Sequence, residues 1–191
     1  MFYGAGFAGE VQGGFVHAVQ VTLDHSIFRD SHAVQRAIRR AQEVVLRFGI
    51  TPGELTRFYP IKETLGVIFE PLEHAHQRGT LFRVGGEMFT AMFPYQARIL
   101  SLANETPRTR DLMRRMSALY TMANRGAGVG SIRVDEQPDR LIVVENTPYE
   151  CLFHEGLFAG VARYCGESWS VAQTECRHRG ATACRYEMAL K

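Results

Sequence analysis

The hydrophobic pattern of this 191-residue chain changes period near Gly126, and that change limits the folds open to it. Ahead of it the apolar residues recur at helical spacing. Ala33, Val34, Ala37, Ile38, Ala41, Val44, Val45 and Phe48 form one stripe behind Ser31, a capping residue, and Gly49 closes the segment. Leu65, Ile68, Phe69, Leu72 and Ala75 form a second, in which Pro71 predicts a kink or break, with Gly79 as its end. Leu81 to Phe93 reads as a third helix, stopped by Pro94 and carrying Gly85-Gly86, a pair that predicts close backbone approach to a neighbour. A fourth runs from about Pro107 to Asn124, with Leu112, Met116, Leu119, Tyr120 and Ala123 on its buried face. Before these helices, Phe15 to Val21 alternates weakly and reads as a strand.

After the Gly126–Gly130 breaker the period falls to two. Ser131–Val134 and Arg140–Val144 flank Gln137-Pro138-Asp139, which predicts a hairpin. A helix from about Tyr149 to Tyr164 follows. Ser168–Glu175 and Ala183–Ala189 then form a second hairpin around Arg179-Gly180. The order is α+β: a helical layer packed on a four-stranded antiparallel sheet, with an N-terminal strand-helix extension. A division into 1–57 and 58–191 is the expected domain organisation.

Composition excludes several classes. No apolar run approaches the ~18 residues that span a bilayer. Met1-Phe2-Tyr3-Gly4 has neither the charged nor the apolar region of a signal peptide, so a cytoplasmic protein is expected. The net charge of +2 gives no polyanion-binding signal, and no nucleic-acid partner is expected. Arg36, Arg39, Arg40 and Arg47 on one helix, and Arg108, Arg110, Arg114 and Arg115 on another, read as solvated faces. Gly4-Ala5-Gly6-Phe7-Ala8-Gly9 matches G-x-G-x-x-G, but only three residues precede it and Gly13-Gly14 follow, so it reads as a glycine-rich arm. There is no P-loop, no hydrolase triad order and no carboxylate pair whose spacing compels acid–base chemistry.

All four cysteines lie between positions 151 and 184. Cys176 and Cys184 are equidistant from Gly180, so they face each other across the second hairpin, and Cys151 opens the preceding helix. That geometry suits a metal held by thiolates, or buried free thiols packing as small hydrophobes. Cys165 lies about 21 Å along the helix from Cys151 at 1.5 Å per residue and cannot share an ion with it. Candidate fourth ligands are His154, Glu155, Gln173, Glu175 and His178.

Two stretches carry a family likeness. Asn146-Thr147-Pro148-Tyr149-Glu150-Cys151-Leu152-Phe153-His154-Glu155-Gly156 with Gly160, and Thr174-Glu175-Cys176 with Gly180, Cys184 and Arg185-Tyr186-Glu187, resemble the 4-vinyl reductase domain family. Its relatives include the sensory domain of phenol-responsive activators, a bacteriochlorophyll-pathway protein and, more distantly, transport-particle subunits. The resemblance implies a frequently dimeric α+β fold around an apolar ligand cavity. It also implies a zinc held by three cysteines and a glutamate. The cysteines fall on Cys151, Cys176 and Cys184; the glutamate's place is taken by Gln173, a neutral and weak donor, for which Glu175, His154 or water could substitute.

Phe69, Phe82, Met88, Phe89, Met92, Phe93, Met113, Met116 and Met122 are ordinarily core at helical spacing, yet in such a fold some would surround a ligand. Phe89, Phe93, Met116, Tyr120 and Trp169 are the expected pocket residues, with His74 and His76 as further polar candidates. The expected function is a cytosolic sensor: a homodimer that binds a small hydrophobic or aromatic molecule and signals by association with a regulatory protein. An enzyme or assembly factor of tetrapyrrole metabolism is the first alternative, weakened because no residue visibly supplies a reductant site. A ligand-free interaction module is the second.

Overall fold

The computed structural model describes residues 8–25, 31–51, 56–74, 78–99 and 107–191. The start of the glycine-rich arm, Pro52-Gly53 and His76 lie outside them, as does the side chain of His74. Strand β1 (Ala8–Gln12) leads into helix α1 (Gly13–Asp24) and then α2 (His32–Phe48). Strand β2 (Phe58–Pro60), a π-helical turn at Lys62–Gly66, α3 (Val67–His74) and α4 (Arg78–Ile99) follow. Next come α5 (Thr109–Arg114), α6 (Met116–Ala123), β3 (Asn124–Ala127), β4 (Ile132–Glu136) and β5 (Arg140–Glu145). The chain finishes with α7 (Cys151–Tyr164), β6 (Trp169–Glu175), a 3-10 turn at Arg177–Arg179 and β7 (Cys184–Leu190).

The α+β class stands. The two expected hairpins form one antiparallel sheet of order β4-β5-β7-β6. Leu141, Val143 and Glu145 on β5, and Cys184, Tyr186 and Met188 on β7, point from this sheet into the core. On β6 the alternation is broken once. Gln173 pairs with Tyr186 and Glu175 with Arg185, which leaves Thr174 as the extra residue of a β-bulge.

Several local expectations are corrected. Phe15–Val21 is helical, not extended. The buried positions Phe15, Val16, Ala18, Val19, Thr22 and Leu23 follow the i, i+1, i+3, i+4 spacing of a helix, and the β-branched valines only imitate alternation. Tyr59 is in a strand, so the helical stretch begins later than its pattern implies. Pro71 sits inside α3, Gly79 inside α4, and α4 runs through Pro94; one missing backbone bond ends neither helix. The helix expected from Pro107 to Asn124 turns at Arg115 into α5 and α6. The glycine breaker contributes strand β3, in which Gly126 takes φ 98°.

A second sheet had no counterpart in the sequence reading. It has the order β2-β1-β3, so β1 pairs on one side with residues 58–60 and on the other with 124–127. Position 57 therefore lies within one hydrogen-bonded sheet, and Val11, Phe15, Val16 and Val19 belong to the same core as α4 and α7.

The paired glycines mark the closest helix crossing. A Cβ at Gly85 would collide with the Phe153 carbonyl oxygen on α7, and one at Gly86 would lie 3.0 Å from that of Gly156. From the other side, Gly156 faces the Phe82 carbonyl and Gly160 the backbone of Gly86. Four missing side chains let α4 and α7 touch backbone to backbone, which fixes the height of Cys151 at the start of α7.

Candidate metal and ligand site

Three elements deliver three sulfurs to one buried point. Cys151 starts α7, Cys176 follows the end of β6 and Cys184 starts β7. The Cys151 sulfur is 3.1 Å from that of Cys184 and 3.4 Å from that of Cys176, and all three lie within 4.8 Å of one another. Cys165 is at the far end of α7, apart from the cluster. The cluster is electrically asymmetric. The Cys184 thiol is lowered because Cys151 donates a hydrogen bond to its sulfur, an effect that outweighs burial and is reinforced by the Arg177 backbone N–H at 3.4 Å. The Cys151 thiol is raised by that same donation and by burial.

Gln173 reaches the cluster because of the bulge. Residues three apart on a regular strand face opposite ways, and the extra Thr174 turns both Gln173 and Cys176 inward. The Gln173 amide lies beside Cys151, and its Nε2 is buried without a partner. Exchanging the amide oxygen for that nitrogen costs nothing in shape and aims an acceptor at the thiols. The other candidate donors are engaged or remote. Glu175 is exposed on the outer face, His178 sits 3.6 Å from Glu150, and His154 turns toward Glu145. Among the described His, Cys, Asp and Glu residues, only the three cysteines meet at this point.

Beside the thiols lies a polar knot that the sequence reading did not single out. Glu145 is 1 % exposed. One of its carboxylate oxygens accepts from the Thr147 backbone N–H at 2.7 Å and hydroxyl at 2.8 Å. His154 Nδ1 is 3.5 Å and the Tyr186 hydroxyl 3.4 Å from the other. Burial raises the Glu145 carboxyl, but the His154 imidazole and the Thr147 hydrogen bonds outweigh it and hold the pKa at about 2. The Arg177 guanidinium, 3.9 Å from Glu145, donates to the Thr147 carbonyl. The Tyr186 hydroxyl also donates to the Cys151 carbonyl at 3.1 Å, so the knot and the cluster share one frame. A signal for it existed: Glu145 continues the inward phase of Leu141 and Val143, where an acid must find partners.

From this corner an aromatic path leads to a cavity. The Tyr149 hydroxyl donates to Asn124, and its ring stacks on Phe15 at 5.7 Å. Asn124 and Phe15 line a cavity of about 40 Å³ together with Met88, Phe89, Met92, Met116, Leu119, Tyr120, Ala123, Ile132 and Leu157. Of the expected pocket residues, Phe89, Met116 and Tyr120 are therefore on its wall. Phe93 lies behind Phe89, stacked on it at 5.2 Å. Trp169 is elsewhere: it borders a separate surface cleft with Arg108, Arg110, Asp111, Arg114, Glu167 and Leu190, and Arg110 lies over its ring.

With that geometry in view, comparison with known proteins becomes informative. Residues 145–189 match the vinyl-4-reductase domain, the same 4-vinyl reductase family that the motifs resemble. The matched stretch holds the Glu145 knot, Cys151, Gln173, Cys176 and Cys184, and it bears out that resemblance. No curated protein sequence matches the chain. The solved structures extend the likeness beyond this stretch. An H-NOX protein from S. oneidensis in the Fe(II) ligation state superposes with a TM-score of 0.66 at 14% identity, covering 94% of this chain and 96% of that one. The H-NOX domain from Shewanella oneidensis in the Fe(II)CO state gives 0.63 at 12% identity, covering 94% and 98%. A point mutant of T. Tengcongensis H-NOX gives 0.62 at 16%, covering 94% and 97%. At these identities the likeness establishes a shared fold over nearly the whole chain. No helix among the described residues is long and apolar enough to cross a membrane.

Proposed function

We propose that this chain is a cytosolic, non-catalytic sensor domain whose methionine-walled cavity takes a small apolar molecule and whose thiol corner holds a structural metal ion. The observation that carries the reading is the join between the two: Tyr149 contacts the cavity through Phe15 and Asn124, and lies two residues from Cys151. A ligand that displaces Phe15 or Asn124 would press on the start of α7. The signal would pass by association with a regulatory protein, with a homodimer as the working state.

Haem is bound in the H-NOX family, but the cavity here does not fit it. Its volume of about 40 Å³ is small against the roughly 300–1,000 Å³ of pockets for drug-sized ligands, and neither histidine nor cysteine lines it. The buried His154 is committed to Glu145 and Thr147. As it stands the cavity admits a few heavy atoms. A single aromatic ring needs Met88, Met92 and Met116 to swing aside, which their unbranched side chains allow. This favours a small hydrophobic or aromatic ligand over a tetrapyrrole.

The corner fits a zinc ion in donor chemistry. Cys151, Cys176 and Cys184 would supply three sulfurs, and Gln173 with its amide turned would supply a neutral oxygen. Bound there, the ion would tie α7 to the ends of β6 and β7. Native mass spectrometry of the purified protein with elemental analysis tests the whole reading. A co-purified aromatic or apolar molecule with one zinc per chain is the expected result. A coloured macrocycle would replace it with the tetrapyrrole reading, and an empty, metal-free dimer with the interaction-module reading.

A further inference from the structure

The charge of this chain is not spread evenly. Helix α2 holds Arg36, Arg39, Arg40 and Arg47 against a single acid, Glu43, a balance of +3. The whole chain carries +2, so everything outside α2 has one more acid than base. On the helix these residues share one side. Ala33, Val34, Ala37, Ala41 and Val44 are buried in the core, which turns Arg36, Arg39, Arg40, Glu43, Leu46 and Arg47 to the exterior, all of them exposed or partly so. Glu43 pairs with Arg40 at 3.1 Å. Arg36 and Arg39 make no ion pair among the described residues.

Leu46 is set among these guanidinium groups. It is 82 % exposed, more than any other large hydrophobic residue described. Arginines alone would suit any polyanion. A leucine projecting between them asks for an apolar layer behind the anionic one. A bilayer interface has that layering, whereas the phosphate surface of a nucleic acid has no apolar stratum for a leucine to enter.

We propose that the exposed face of α2 is a docking surface for an anionic lipid bilayer, with the arginines on the headgroups and Leu46 entering the interface. The helix lies flat on the bilayer and keeps its buried face in the core, so docking requires no unfolding. The surface also has a route to the interior. α2 packs on α1, and α1 carries Phe15 of the cavity wall, so a docked and an undocked α2 can differ in how they hold that wall. The proposal does not depend on what fills the cavity.

The test is co-flotation of the full chain with vesicles of equal parts phosphatidylcholine and phosphatidylglycerol, beside vesicles of phosphatidylcholine alone. Binding to the anionic vesicles, lost in about 0.5 M salt, is expected. Each arginine near a charged surface strengthens binding about fivefold, so the triple substitution Arg36→Gln, Arg39→Gln, Arg40→Gln should weaken it about 100-fold. Leu46→Ser should weaken it about tenfold, with no change in salt dependence. Arg133→Gln, at an exposed arginine of β4, should leave it unchanged. Circular dichroism and melting temperature confirm that the variants, all on the surface, remain folded. No flotation at low salt overturns the proposal. So does equal binding to neutral vesicles, equal binding by the triple variant, or retention of a DNA duplex in place of the vesicles.

Discussion

The thiol corner and the cavity are neighbours built on opposite terms. At the corner nearly every group is polar and directed: Glu145 is held by Thr147, His154 and Tyr186, and three sulfurs meet within 4.8 Å. In the cavity the wall is three methionines, aromatic rings and aliphatic side chains, with Asn124 and Tyr120 as its polar members. The Tyr120 hydroxyl is itself committed to the Val129 carbonyl. Hydrogen bonds to charged groups have preferred lengths and angles, while dispersion contacts tolerate rearrangement. A single fold can thus place a stiff corner beside a compliant chamber, with α7 leading from the one and Phe15 and Asn124 walling the other. The corner should resist any substitution; the cavity should absorb conservative ones.

Removing the Glu145 carboxylate is the strongest way to break that contrast. Glu145→Ala leaves His154, the Thr147 N–H and Arg177 without their acceptor, and a loss of about 3–5 kcal/mol is expected in urea unfolding. The same residue predicts acid sensitivity. Its pKa is depressed from 4.5 to about 2 on folding, so its contribution is complete above pH 4.5 and is lost as pH falls toward 2. A stability curve flat across that window would refute the assignment.

Next in size is Gly156→Ala. The new methyl meets the Phe82 backbone carbonyl, which cannot rotate aside, so α7 must lift from α4 at a cost of about 1–3 kcal/mol. Cys176→Ser should cost about 1–2 kcal/mol in metal-free protein and abolish zinc uptake, while Cys165→Ser should do neither. Metal content that survives Cys176→Ser would dissolve the cluster. Smallest is Met92→Leu in the cavity wall. Stability should fall by less than about 1.5 kcal/mol, while affinity for a small apolar probe such as toluene, followed by calorimetry, should drop about tenfold as the wall stiffens. Equal losses of stability at Met92 and Glu145 would show that cavity and corner do not differ in compliance.

What the sequence disclosed follows the range of the interactions involved. The C-terminal hairpins and α7 were legible because each strand pairs with, or packs on, a near neighbour in the chain. Gly85-Gly86 announced a helix crossing correctly, though not with which partner. The β2-β1-β3 sheet was not legible. Its strands have three to five residues, and β1 finds β3 more than a hundred positions away, so no local periodicity marks it. At the site, the convergence of Cys151, Cys176 and Cys184 and the exclusion of Cys165 were readable from spacing about a turn. Trp169 was misplaced because the end of a strand does not reveal which cavity its side chain enters. Arg177 was missed because only the 3-10 turn brings its backbone N–H onto Cys184.

The bulge at Thr174 has a consequence for how such sites can vary. On a regular strand, two donors for one ion must be separated by an even number of positions. With one extra residue they must be separated by an odd number, as Gln173 and Cys176 are. A change of chain length by a single residue here is thus a change of arithmetic class. Losing Thr174 while keeping every cysteine would send either Gln173 or Cys176 to the solvent side, and a lineage could silence the site without altering any of its ligands.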